Sequence, residues 1–222
     1  MHSNFVKVPT DDKLDAYVPC RKCEVCRTRR MNMWGARGHA ETIAAAQTWF
    51  LTLTLGREFR AKLMALAVQE EYRLGDIGAP AFLANAEKFD LWRPHVVAEV
   101  QRFWKRLRKA GYRFRYVCAL EDHKDGVPHV HALVHMDAGS CLPDWTHELA
   151  TTKGRTVSVP VANTIFSEWW GHGFTLTKGP IAKEDAAPAF YVGKYLSKSR
   201  GGRVHASGRY GRYAVVGNTR HE

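Results

Sequence analysis

The chain has 222 residues, 45% of them hydrophobic, which suits one sizeable domain, or one domain with a small appendage, and indicates no disordered low-complexity tract. With 33 Lys and Arg against 22 Asp and Glu, the formal net charge is +11, which favours a polyanionic partner, most commonly nucleic acid, over an ordinary basic surface. No apolar run resembles a membrane span or a secretory signal, so we expect a soluble cytoplasmic protein without a membrane partner.

The N-terminal arm, residues 1–46, contains the basic and cysteine-rich stretch CRKCEVC. Cys20, Cys23 and Cys26 are spaced C-x-x-C-x-x-C, and such spacing places thiolates within reach of one tetrahedral Zn²⁺. The sequence therefore predicts either a structural zinc site or a set of reduced thiols in a basic arm. The candidates for a fourth ligand are Cys118, Cys141 and His39.

After the arm, helical and strand periodicities succeed one another without a βαβ rhythm. We predict a helix over 27–46, a strand over 48–55, helical structure over 57–92 with a break at 74–80, and a helix over 93–111. Pro94 suits the first turn of this last helix, and Gly111 suits its end.

Two further strands read as an antiparallel hairpin, 112–121 and the strand within GVPHVHALVH, joined by the loop at 122–128. A strand at 173–177 and a helix at 187–199 follow. The sequence thus predicts an α+β fold, a central antiparallel sheet of about five strands flanked by helices. We divide the chain into the arm at 1–46, a core at 47–200 and a basic, glycine- and arginine-rich C-terminal segment at 201–222.

The histidines at 129, 131 and 135 alternate, so they share one side of their strand. Glu121 precedes His129 by eight residues, which places it on the neighbouring strand of the hairpin. Two imidazoles and a carboxylate suit Mn²⁺ or Mg²⁺, with Asp122 as the substitute carboxylate if the strand phase shifts by one residue. His135 lies about 13 Å from His129 along the strand, too far to share that ion. The alternative is a pair of partly buried histidines bonded to backbone or water.

In the helix at 187–199, Tyr191 and Tyr195 are four residues apart, so they lie on one face. Lys194 and Lys198 have the same spacing on an adjacent stripe. One interpretation is an amphipathic helix with its aromatic residues in the core. The other is a surface that handles phosphate, because buried phenols need polar partners.

FLTLTL, PHVHALVH and YVGKYLSK occur in the order of the three motifs of the HUH endonucleases that initiate rolling-circle replication, and the chain resembles that superfamily over about residues 19–198. The resemblance is closest to the initiators of small single-stranded DNA phages of the microvirus type. PCRKCEVC and WWGHGF are similar to further stretches of those proteins. It implies an HUH or RRM-like palm for the fold.

The resemblance also implies roles for individual residues. His129, His131 and Glu121 would bind the divalent metal, Tyr191 and Tyr195 would be the nucleophiles, and Lys194 and Lys198 would contact phosphate. The implied activity is metal-dependent nicking and joining of single-stranded DNA through a 5′-phosphotyrosine intermediate. Single-stranded or hairpin origin DNA and host helicase and polymerase would be the partners.

The basic, aromatic segment at 102–115 is the predicted DNA-binding surface. Its candidate contact residues are Arg102, Lys105, Arg106, Arg108, Arg113 and Arg115. Two alternatives to the initiator remain open: a non-catalytic, zinc-stabilised nucleic-acid-binding protein, and a transposase or conjugative relaxase with the same chemistry. The paired tyrosines near the end of the chain favour the initiator.

Overall fold

The computed structural model describes residues 5–8, 16–20, 23–74, 85–122, 126–150, 156–198 and 204–211. The helices are Glu24–Ala44 (α1), Arg57–Leu74 (α2), Asn85–Lys109 (α3), Val161–Trp170 (α4) and Ala187–Lys198 (α5). The strands are Phe5–Val8 (β1), Ala16–Pro19 (β2), Gln47–Leu53 (β3), Phe114–Asp122 (β4), Pro128–Met136 (β5), Thr146–Ala150 (β6), Thr156–Pro160 (β7), Thr175–Lys178 (β8) and His205–Ala206 (β9).

Five of these strands form one antiparallel sheet in the order β8–β3–β5–β4–β9. The histidine strand β5 is central, between β3 and β4. The β4–β5 register runs from Phe114 opposite Met136 to Asp122 opposite Pro128. Helices flank the sheet, so the predicted α+β fold with a five-stranded antiparallel sheet is confirmed. The other two sheets are the two-stranded pairs β1–β2 and β6–β7.

Alternation along the strands divides the apolar side chains between two cores, one on each side of the sheet. On the side that we call the α3 face, Trp49, Leu51 and Leu53 pack with buried residues of α2, α3 and α4. On the opposite side, the α5 face, Phe50, Val117 and Leu133 pack with Ala189, Val192, Tyr195 and Leu196 of α5. Helix α1 packs on α5 and thus belongs to the same layer.

Glycines set the close approach of α1 to α5. A Cβ on Gly193 would lie 2.7 Å from the carbonyl oxygen of Met31 and 3.1 Å from the backbone nitrogen of Gly35. Gly35 leaves space for the Phe190 ring, and a Cβ on Gly38 would lie 3.1 Å from the Cβ of Ala189. The backbone of α5 therefore rests directly on that of α1, which fixes the position of the residues along α5.

A buried ion pair connects α1 to the sheet. Glu41 is 7% exposed, and its two carboxylate oxygens accept from Nε and Nη2 of Arg115 at 2.7 and 2.8 Å. The backbone N–H of Gly211 donates to the same carboxylate. Burial acts to raise the pKa of Glu41, but the hydrogen bonds from Arg115 and Gly211 outweigh it, and the net shift is downward. Arg115 is thereby part of the folded core.

His135 lies beside this pair, with 2% of its surface exposed. Its Nδ1 lies 3.0 Å from the Thr48 hydroxyl and its Nε2 lies 2.6 Å from the Tyr210 hydroxyl. Burial is the main cause that lowers the pKa of His135 from 6.5 to about 4. The ring is thus neutral at pH 7 and holds residues 204–211 on the α5 face.

This arrangement predicts acid sensitivity of the fold. Between pH 6.5 and about 4 the unfolded chain protonates at residue 135 but the folded chain does not, so the contribution is complete above pH 6.5 and is lost as the pH falls. We expect the free energy of unfolding to drop by about 3 kcal/mol over this interval from His135 alone. Urea denaturation of wild type and His135→Gln from pH 7 to 4 measures it. The two curves should converge as the pH falls; parallel curves would contradict the assignment.

Local differences from the sequence predictions have identifiable causes. Helix α3 begins at Asn85, so Pro94 lies inside it and not in its first turn. Trp92 and Val96, 5% and 0% exposed, anchor both sides of the proline in the α3-face core, and this packing compensates for the lost hydrogen bond. Helix α1 begins at Glu24, three residues earlier than predicted, because the Cys23 side chain caps it.

Some predicted features lie outside the described residues: most of the break at 74–80, loop residues 123–125, and the C-terminal segment apart from 204–211. Within that segment, His205–Ala206 pairs with β4, and Tyr210 is 4% exposed in the α5-face core. Among the helices described, none has the length and apolar character needed to cross a bilayer.

Candidate active site

The register of the sheet gathers the predicted metal ligands at one end of the α5 face. Glu121 of β4 lies directly opposite His129 of β5, and His131 lies opposite Thr52 of β3. Residues paired in register have side chains on the same side of the sheet. Asp122, opposite Pro128, alternates to the other side. The strand phase that selects Glu121 as the carboxylate is therefore the one that the structure has.

His131 is held between two partners. Its Nε2 lies 2.7 Å from Oε2 of Glu121, and its Nδ1 lies 3.2 Å from the hydroxyl of Thr52. Because an ionised carboxylate can only accept, the hydrogen belongs on Nε2, and Nδ1 accepts from the threonine hydroxyl. Thr52 thus fixes the ring so that Nε2 points at the carboxylate. His131 is 6% exposed, which makes this orientation rigid.

The two tyrosines of α5 lie directly over this histidine. The Tyr195 ring stacks on the His131 ring with centroids 4.8 Å apart and an interplanar angle of 24°. The Tyr191 ring meets His131 edge-on at 5.7 Å and also contacts Phe50 at 5.6 Å. The Tyr195 hydroxyl donates to the Tyr191 hydroxyl at 2.9 Å. Both phenols, the imidazole and the carboxylate therefore form one cluster.

The two phenols differ in environment. Tyr191 is 42% exposed, whereas Tyr195 is 9% exposed. Burial, followed by hydrogen bonds with Tyr191 and Glu121, raises the pKa of Tyr195 well above its usual range. A phenol in that state is a weak nucleophile unless a cation or a base assists its ionisation. The arrangement thus offers an open phenol and a sheltered one that share a hydrogen bond.

The donor chemistry of Glu121, His131 and His129 fits a divalent cation. A proton now lies between Nε2 of His131 and Oε2 of Glu121, and a cation could replace it, because both atoms are ordinary ligands of Mn²⁺ and Mg²⁺. Thr52 supplies the outer hydrogen bond that metal-binding histidines usually have. His129 stands in register with Glu121, so its backbone position allows it to be a third ligand.

The cysteines of the arm also come together. The ligand sulfurs of Cys20, Cys23 and Cys26 all lie within 4.8 Å of one another, close enough to hold a metal ion. The backbone N–H groups of Cys23 and Cys26 point at the sulfurs of Cys20 and Cys23, at 3.4 and 3.5 Å. This is the turn that C-x-x-C metal sites use.

The three candidates for a fourth cysteine-site ligand have other partners. Cys118 is fully buried in the α3-face core. The sulfur of Cys141 lies 3.8 Å from the carbonyl oxygen of Asp137, and Nε2 of His39 lies 3.0 Å from that of Lys183. The expectation that one of them completes the site is not met by their positions.

The predicted DNA-binding helix lies on the other side of the sheet from the tyrosines. Helix α3 packs on the α3 face through Phe103, Trp104 and Leu107. Lys105 is exposed, and Arg102 pairs with Glu99. The helix periodicity indicates a basic face but cannot tell which side of the sheet receives the helix.

Several of these cations have structural contacts. Arg106 donates to the carbonyl oxygen of Trp169 at 2.9 Å. Arg108 lies over the rings of Phe114 and Tyr116, with its guanidinium carbon 4.9 and 5.5 Å from the ring centroids. Arg113 is exposed, and Arg115 is committed to Glu41. On α5, Lys194 is exposed, and for Lys198 only the backbone is described.

Sequence reasoning missed the residues that position the cluster. Thr52 and Phe50 lie within the predicted strand FLTLTL, but their partners become visible only in the β3–β5 register. The repeated Thr-x-x-x-Thr spacing of Thr48 and Thr52 was an available signal, because it matches the four-residue spacing of His131 and His135 on the antiparallel neighbour.

Comparison with known proteins adds one finding. A family model for replication-associated proteins of the ORF2 type matches residues 48–200, about two thirds of the chain. That range runs from β3 to the end of α5 and includes Thr52, Glu121, both histidines and both tyrosines. Neither the curated proteins nor the solved structures contain a significant match. This chain belongs to the ORF2-type family of replication-associated proteins.

Proposed function

We propose that this protein nicks and rejoins single-stranded DNA through a 5′-phosphotyrosine intermediate and so initiates rolling-circle replication. The observation that carries the proposal is the cluster over β5: two phenols hydrogen-bonded to each other at 2.9 Å, with the His131 ring stacked on one of them and bonded to Glu121. Membership in a replication-associated family supports it.

In the first step a tyrosine oxygen attacks the scissile phosphorus. A bond forms between the phenolic oxygen and phosphorus while the bond from phosphorus to the 3′ oxygen breaks. The phenol loses its proton and the departing 3′ oxygen gains one, which leaves a phosphotyrosine and a free 3′-OH for a polymerase. Tyr191 suits the first attack because it is the more exposed phenol, and its neighbour Tyr195 donates a hydrogen bond to the same oxygen.

A divalent cation, Mn²⁺ or Mg²⁺, held by His129, His131 and Glu121, would stabilise charge on the non-bridging phosphate oxygens. The chain's own contribution is orientation: Thr52 holds the His131 ring, and the stacked Tyr195 keeps the phenols above it. Lys194, one residue before Tyr195 and exposed, supplies positive charge for a phosphate, and Lys198 would extend this stripe.

The second tyrosine permits joining. While one phenol holds the 5′ end, the other can cut the regenerated origin, and the released 3′-OH then attacks the first phosphotyrosine and closes a circle. The hydroxyls are 2.9 Å apart, so small shifts exchange them at one phosphate. Single-stranded or hairpin DNA is the substrate, host helicase and polymerase in the cytoplasm are the partners, and the exposed cations of 102–113 hold further DNA.

The test is covalent capture. The purified chain is incubated with a labelled, random-sequence single-stranded DNA pool and Mn²⁺, denatured, and analysed for DNA that migrates with the protein; peptide mass spectrometry then maps the attachment. We expect adducts on Tyr191 or Tyr195, and none in EDTA. A non-catalytic nucleic-acid-binding protein would leave the DNA intact under both conditions. A single-tyrosine transposase would yield adducts on one position alone, in every variant.

We also propose a structural Zn²⁺ at Cys20, Cys23 and Cys26. The ion would join the end of β2 to the first turn of α1, since Cys20 follows that strand and Cys23 caps the helix. We expect about one equivalent of zinc by plasma mass spectrometry in wild type and a clear loss in Cys23→Ser. Cys141→Ser, whose thiol is exposed elsewhere, should keep the metal. Equal zinc in all three proteins would contradict this site.

A further inference from the structure

The edge strand β8 exposes two large apolar side chains next to the proposed nicking site. Phe174, just before the strand, is 79% exposed, and Leu176 is 49% exposed. Leu176 lies opposite Thr52 in register, and the intervening Thr175 and Thr177 point to the α3 face, where both contact Asn163 of α4. Leu176 therefore belongs to the α5 face, and Phe174 follows it by alternation.

The backbone holds Phe174 in place. Its N–H donates to the Thr54 hydroxyl at 3.1 Å, and its carbonyl oxygen accepts from both the N–H and the hydroxyl of Thr54 at 2.9 Å. The preceding Gly173 has φ +156°, and a Cβ there would lie 2.4 Å from the nitrogen of Gly56. The exposed aromatic ring is thus mounted on a tightly tied backbone at the end of β8.

This surface continues directly from the proposed catalytic cluster. One row of side chains runs across the sheet from Leu176 through Thr52 to His131. Two strand spacings separate the ends of the row, about 10 Å. A nucleotide next to a phosphate bound at His131 and Glu121 can reach that far. Two residues beyond Leu176 on the same face, Lys178 is exposed and adds a cation.

We propose that Phe174 and Leu176 form a stacking platform for unpaired bases of single-stranded DNA flanking the scissile phosphate, with Lys178 contacting the backbone; this rests on the proposed nicking function. An aromatic ring accepts any unpaired base on its face, whereas duplex DNA hides its base faces in the stack. A polyanion suits the Lys178 cation and the +11 net charge of the chain better than an apolar protein partner does.

Binding is measured by fluorescence anisotropy in EDTA, where no nicking occurs, with a labelled random-sequence single-stranded 20-mer and a duplex of the same length. Phe174→Ala should raise Kd for the single strand roughly tenfold and leave duplex binding unchanged, and Phe174→Trp should restore tight binding. Lys178→Ala should reduce the salt slope of log K by about one, whereas Phe174→Ala should leave that slope unchanged.

Leu66→Ala is the matched control, because Leu66 is an exposed apolar residue of α2 on the other side of the sheet, and its Kd should equal that of wild type. Thermal unfolding of Phe174→Ala should also equal wild type, since the side chain is exposed. A single-strand Kd within twofold of wild type, or an equal loss for duplex DNA, would overturn the platform. Covalent capture by wild type remains a separate readout, so an adduct with unchanged Phe174→Ala binding refutes the platform alone.

Discussion

The Tyr191→Phe/Tyr195→Phe double variant is expected to form no covalent adduct with single-stranded DNA, a loss of at least a thousandfold against wild type. Phenylalanine keeps the ring contacts with His131 and Phe50 but removes both attacking oxygens. The loss of one hydrogen bond between the phenols should cost about 1 kcal/mol of stability or less. Denaturing electrophoresis of the captured complex measures the result.

The single variants should separate the two roles. Tyr191→Phe should slow the first cleavage more than Tyr195→Phe does, because Tyr191 is 42% exposed and Tyr195 only 9%. Each single variant retains one phenol over His131 and should keep measurable capture, whereas neither should complete circle closure. Tyr112→Phe is the control and should behave as wild type. Adduct that persists in the double variant would remove these residues as nucleophiles.

A second large effect is expected from Gly193→Ala. The added Cβ would lie 2.7 Å from the Met31 carbonyl oxygen and 3.1 Å from the Gly35 nitrogen, and both are backbone atoms of α1 that cannot rotate away. The two helices must separate, which displaces the tyrosines relative to His131. We expect a loss of about 1–3 kcal/mol in stability and a hundredfold slower capture, because a displacement near 1 Å is enough for such an effect.

The matched control is Gly208→Ala, since a Cβ on Gly208 meets nothing within 4 Å. Its stability and capture rate should equal those of wild type. Both proteins are assayed well below the midpoint of unfolding, so that a slow rate in Gly193→Ala reports misplacement and not an unfolded fraction. Wild-type capture by Gly193→Ala would mean that the α1–α5 contact does not position the nucleophiles.

The part of the site that depends on local periodicity could be predicted from the sequence. Alternation alone places His129 and His131 on one side of a strand, and a four-residue spacing alone places Tyr191 and Tyr195 on one helix face. The hairpin length predicts that Glu121 faces His129, and the observed register has this pairing. These relations are short in sequence, so few conformations compete with them.

The rest depends on contacts between distant segments. The hydrogen bond of Thr52 to His131 spans 79 positions, and that of Arg115 to Glu41 spans 74. Composition shows that Arg115 is basic, but only the packing of α1 shows that a buried carboxylate binds it. Similarly, the different exposure of the two tyrosines follows from how α5 is seated on α1 and the sheet, which no spacing within α5 encodes.

The central place of β5 divides the cluster into a stationary part and an adjustable one. Hydrogen bonding to β3 on one edge and β4 on the other secures the imidazoles of this strand against sliding. The phenols belong to a helix that meets its neighbour along a track of small residues, Gly35, Gly38 and Gly193, without interlocking side chains at the crossing. When one phenol takes over from the other, α5 therefore supplies the travel while the sheet stays in place.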